Sequence, residues 1–156
     1  MTRYSMWWLG CVSALAITGE LTADDNKKLP PPAARKIDFV KDVQPIFADN
    51  CIGCHGPKLQ ESAYRLDHQP TALKGGEIGQ PIVPGKSAES PLIRYVAGVD
   101  PDYKMPPDGN PLTAEQVGIL RAWIDQGAEW PASASVDLTR RTSSLGRKCV
   151  NIDVFP

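Results

Sequence analysis

The chain has 156 residues, 42% hydrophobic and 22% charged, about one globular domain's worth, which excludes a wholly disordered chain or a multi-span membrane protein. Seventeen Lys and Arg against eighteen Asp and Glu leave a net charge of −1, so there is no basic footprint for nucleic acid and no acidic tail. Fifteen prolines, all after residue 29, and four cysteines with two histidines point to a loop-rich fold with few chemically active side chains.

Residues 1–23 read as a secretory signal. Arg3 supplies the positive charge, residues 6–18 carry none and are too short to span a bilayer, and Leu21-Thr22-Ala23 offers a cleavage site. Leu is large for that site, so the alternative is an uncleaved anchor through which the protein associates with a membrane; lipid on Cys11 is a weaker third option. In each case the remainder is exported, periplasmic or anchored facing the periplasm, where cysteines are open to oxidation or covalent attachment.

Residues 24–36 are polar and hold three consecutive prolines, the pattern of a semi-extended linker. A domain is expected over residues 37–131. Its first helix runs from Phe39 to Asn50, with Phe39, Val43, Ile46 and Phe47 on one face. Asp38 or Asp42 can cap it, and Pro45 should kink it or delay its start to about Asp42. Over residues 70–111 a third of the positions are Gly or Pro, which reads as loop with one short helix inside. Ser90 caps that helix, Pro91 opens it, Leu92, Ile93 and Val96 face inward, and Gly98 stops it. The clearest helix follows: Thr113 and Gln116 form a capping box, Val117, Leu120 and Ile124 an apolar stripe, and Gly127 the terminator. Trp123 and Trp130 belong to the core beside it. Residues 132–156 are Ser-, Thr- and Arg-rich without an apolar period, the composition of a disordered tail. No stretch alternates as a strand does, so the fold class is all-α.

The chemistry centres on Cys51-Ile52-Gly53-Cys54-His55. Two thiols two residues apart, followed at once by His, form the attachment signature of c-type haem. The cysteines would add to the two vinyl groups on one porphyrin edge, and the adjacent His would then sit beneath the ring facing the iron. Gly53 suits a backbone passing close to that edge, and an apolar pocket of Ile46, Phe47, Leu66, Leu120 and Trp123 would surround the ring. A dithiol redox centre gains nothing from the His and sits by preference at a βα junction. A zinc site would need His68 and Cys149 at irregular spacing. A disulfide between Cys51 and Cys54 would be strained and tie nothing together. Met105 and His68 are the candidates for a second axial ligand. Met105 is followed by two prolines that stiffen its loop, whereas His68 sits between Asp67 and Gln69 as a surface residue would.

From about Phe39 to Trp130 the chain resembles a planctomycete-type cytochrome c domain. The matching stretches are Asp38-Phe39 with Pro45-Ile46, CIGCHGP at 51–57, Arg65-Leu66-Asp67, LKGGEIG at 73–79, IVPGKSAES at 82–90, MPPDG at 105–109, and LTAEQ through LRAWIDQGAEWP at 112–131. The resemblance implies a small class I-like fold of three to four helices around one haem c. It implies attachment at Cys51 and Cys54, and axial ligation by His55 and Met105. It further implies electron exchange with redox partner proteins rather than enzymatic turnover, and fusion to or association with larger enzyme domains. A haem enzyme or gas sensor with a labile distal ligand is the rival reading, and a dithiol oxidoreductase a more distant one.

Overall fold

The structure, a computed structural model, describes residues 29–108, 111–131 and 134. The expected signal at 1–23 lies outside them, as do nearly all of the expected tail, Gly109 and Cys149. Four α-helices form the domain, with no strand among the described residues: α1 (Gln44–Asn50), α2 (Gln69–Lys74), α3 (Pro91–Ala97) and α4 (Ala114–Asp125). The all-α expectation holds.

A π-helical turn, Phe39–Val43, leads into α1. The α-helix proper starts late, as Pro45 suggests, but at Gln44 rather than Asp42, and the residues ahead of it wind in the wider π register. The Gln44 N–H reaches back five residues to the Phe39 carbonyl, and Pro45 then falls in the first turn of α1, where its missing N–H costs no bond. Both candidate caps act here. Asp38 accepts from the Lys41 N–H at 2.9 Å, and Asp42 accepts from the Asp38 N–H at 2.8 Å while pairing with Arg35 through both oxygens.

Helix α4 is the hub. Val117, Leu120, Trp123 and Ile124 are essentially solvent-free, and Phe47, Val43, Leu66, Ile82 and Ile93 close around them. Phe39, Phe47, Trp123 and Trp130 form one aromatic cluster, with Phe39 stacked on Trp130 at 4.2 Å and Phe47 edge-on to Trp123 at 5.7 Å, spacings at which ring quadrupoles add to burial. The indole N–H groups of Trp123 and Trp130 donate to the carbonyls of Glu129 and Ala134, so the large rings are buried without an orphaned donor. The capping box of Thr113 and Gln116 is present in both directions, and Gly127 takes a positive φ just past the helix end.

Residues 29–36 lie along α4. Leu29 and Ile37 are buried, the Ala33 N–H donates to the Gly118 carbonyl at 2.9 Å, and Arg121 donates to the Pro30 carbonyl. Gly118 permits this contact, because a Cβ there would stand 2.7 Å from the Pro31 oxygen.

Two expectations need correction. Ser90 stands at the N-cap of α3, but its hydroxyl makes no cap bond. Fully buried, it accepts from the Val83 N–H and donates to the Lys86 carbonyl, both at 2.9 Å, so it pins the preceding loop. The span 70–111 also holds more structure than its Gly and Pro content suggests: α2 crosses its start, and a 3-10 turn covers Ser87–Glu89.

Candidate functional site: an apolar cleft around the Cys-x-x-Cys-His motif

Cys51 closes α1, and the motif turns immediately after it. The N–H groups of Cys54 and His55 return to the Cys51 carbonyl at 3.1 and 2.9 Å. The Leu66 N–H donates to the His55 carbonyl at 2.8 Å, which fastens the motif to the segment carrying Arg65 and Asp67. Those two side chains form a two-pronged ion pair at 2.9 and 2.7 Å, and the guanidinium holds the Asp67 carboxyl below its ordinary pKa.

Cys51, Cys54, His55 and Met105 line one cleft that is open to solvent. Its walls are almost wholly apolar. Leu66 and Tyr64 form one side, Leu92 and Val96 of α3 another, and Leu112, Ile78 and the prolines 81, 91, 106 and 107 complete it. Met105 reaches the cleft because its N–H donates to the Tyr95 carbonyl on α3 at 3.1 Å and because Pro106 beside it is buried. His68 is exposed at the start of α2 and is not among the lining residues, as its polar neighbours suggested.

Of the apolar residues expected around a ring, only Leu66 lines the cleft. Ile46, Phe47, Leu120 and Trp123 are in the core instead. The reason lies in α1: its apolar face is already taken up by the aromatic cluster against α4, so only its end, Asn50 and Cys51, reaches the cleft.

The sequence reading missed Tyr64, Tyr95 and the glycine loop at 75–79 as walls. Close approach is the physical signal in that loop. A Cβ on Gly76 would collide with the Ser62 carbonyl and stand 2.9 Å from the Tyr64 Cβ, while Ser62 and Ala63 themselves take left-handed backbone, φ 55 and 51. Neither the spacing nor the composition of the chain announces Tyr64.

His55 is largely buried, and burial lowers its pKa, which favours the neutral imidazole. The carbonyls of Tyr64 and Glu61 face the ring and oppose that shift, yet neither meets Nδ1 in hydrogen-bond geometry, and this buried nitrogen has no partner. A neutral imidazole beside a thioether, in a cleft with little other polar surface, is a donor set suited to haem iron. The residues present therefore fit the group. Cys54 is disulfide-bonded, and thioether formation at its sulfur requires that bridge to be reduced first.

An all-α domain with this motif in an apolar cleft is of the cytochrome c-like class. Residues 51–109, from the first cysteine past Met105, are similar to the family described as Planctomycete cytochrome C. The family's description points to haem as the cofactor. No curated protein and no solved structure matches the chain.

Proposed function

We propose that the chain is an exported electron carrier holding one haem c, attached through Cys51 and Cys54 and ligated by His55 and Met105. One observation carries this reading: His55 and Met105, fifty positions apart in sequence, line the same apolar cleft as both cysteines. Haem, when bound, supplies one-electron exchange with no substrate bond made or broken. The chain's part is to hold and shield it. Tyr95 presents Met105 through a backbone bond, Leu66, Leu92, Val96 and Leu112 keep water out, and a neutral sulfur ligand in dry surroundings raises the reduction potential. At Gly53 a Cβ would meet no protein atom within 4 Å. Packing within the chain thus makes no demand for glycine there. Redox partner proteins are the expected partners, exchanged across the cleft mouth.

No described helix is long and apolar enough to cross a membrane. An optical spectrum of the full chain, produced with haem-attachment machinery, tests the proposal. A six-coordinate low-spin c-type spectrum, with pigment travelling with the polypeptide under denaturing electrophoresis, is expected. Five-coordinate haem would favour the enzyme or sensor reading, and pigment removed entirely by acid–organic extraction would overturn covalent attachment.

A further inference from the structure

Metal-ligating histidines are ordinarily oriented by a hydrogen bond at the second ring nitrogen, which fixes the plane of the imidazole. His55 has none: its Nδ1 is buried and unpartnered. The carbonyls of Tyr64 and Glu61 face the imidazole without reaching Nδ1 in hydrogen-bond geometry, and the side chain packed against the ring is that of Tyr64. Its ring centroid is 5.4 Å from that of His55, with the planes inclined at 59°, the separation of a favourable tilted aromatic pair.

Tyr64 is itself held at several points. Its phenol donates to the Ala72 carbonyl on α2 at 3.2 Å, and its backbone N–H donates to the Glu61 carbonyl at 3.2 Å. Gly76 lies so close to its Cβ that no larger residue fits. Only 8% of the residue is exposed, and burial pushes its ionisation far above the ordinary range, so the phenol remains a neutral donor. The tie thus runs from α2 through the Tyr64 hydroxyl to its ring, and from that ring to the imidazole.

We propose that Tyr64 is a positioning residue that sets the plane of the His55 imidazole, with the Ala72 carbonyl fixing the Tyr64 ring. The inference rests on His55 being the haem ligand. Imidazole orientation governs how the ligand's π orbitals split the iron orbitals, so the principal g values of the oxidised protein report it directly.

The test compares full-length, haem-loaded wild type with Tyr64→Leu, Tyr64→Phe and the surface control Tyr103→Phe. Electron paramagnetic resonance and the reduction potential are measured on each. Removing the ring in Tyr64→Leu should move the g values and shift the potential beyond replicate scatter. Tyr64→Phe keeps the ring and loses the tether, so it should restore the wild-type mean g values while broadening their lines. Tyr103→Phe should match wild type. Wild-type g values and line widths in both Tyr64 variants would overturn the proposal. Should Tyr64→Leu fail to fold, Tyr64→Phe still decides, because unbroadened lines would show that the tether fixes nothing. The reading beneath it fails differently: wild type without c-type pigment, or His55→Ala with an unchanged low-spin spectrum, would remove His55 as ligand and the proposal with it.

Discussion

Met105 and His68 differ by what holds them. Met105 is fixed to α3 through the Tyr95 carbonyl and faces the cleft; His68 stands exposed at a helix start. Met105→Ala should therefore abolish the weak red charge-transfer band of Met-ligated ferric haem, open the site to carbon monoxide or cyanide, and lower the reduction potential. His68→Ala should leave the spectrum and potential as they were. Ligand loss in His68→Ala with a silent Met105→Ala would instead make the haem bis-histidine. At the other end of the domain, the Arg35 guanidinium holds the Asp42 carboxyl below its usual 3.8. A depressed carboxylate stabilises the fold fully above the unfolded value and loses that contribution as pH falls through the lower folded one. Melting temperature followed from about pH 5 to about pH 2 should accordingly fall less steeply in Asp42→Asn than in wild type. Parallel curves would mean the ion pair is idle.

At the level of elements, α4 was open to sequence reading and the cleft was not. The box at Thr113 and Gln116, the stripe of Val117, Leu120 and Ile124, and the stop at Gly127 are local signals, each within a turn or two of its partner. The inward face of α3 was legible for the same reason. The role of Ser90 was not, because the bonds that claim its hydroxyl come from a loop folded back upon it. The π turn ahead of α1 arises from a choice of register that periodicity does not resolve, and α2 is a single six-residue turn opened by a proline. As for the site, Cys51, Cys54, His55 and Met105 were legible as a motif and a rare residue, while Tyr64 and the glycine loop depend on contacts made only after folding. Gly118 offers a test of such a contact. Gly→Ala inside a helix ordinarily gains about 1 kcal/mol, yet the new methyl would press on the Pro31 carbonyl, a kind of overpacking that costs about 1–3 kcal/mol. Gly118→Ala should lower stability in denaturant titration despite its better helix propensity; a rise would show that residues 29–33 can lift away at little cost.

For the molecule as a whole, the cleft divides the fold into a well-packed half and a half that needs filling. The aromatic cluster and α4 form a dry core. The opposite side, where Tyr64, Leu66, α3 and the Met105 loop face one another, has apolar walls with the cleft between them. A group that binds only the folded chain stabilises it by mass action, and a covalently held one does so persistently. Cys51→Ala combined with Cys54→Ala should thus yield a chain that carries no haem stain through denaturing electrophoresis and melts well below the loaded wild type. Equal melting temperatures would show that the core around α4 suffices alone.

The stack of Phe39 on Trp130 and the bond from Arg121 to the Pro30 carbonyl bring the beginning and the close of the described domain onto the same helix. Neighbouring ends make a fold indifferent to where its polypeptide is cut. A short Gly/Ser bridge from residue 131 back to residue 29, with new termini opened between the exposed Pro101 and Asp102, should give a circular permutant that folds and takes up haem as the native order does. For the same reason the domain should tolerate being spliced into the loop of a larger protein, with the host's melting temperature left nearly unchanged as the check.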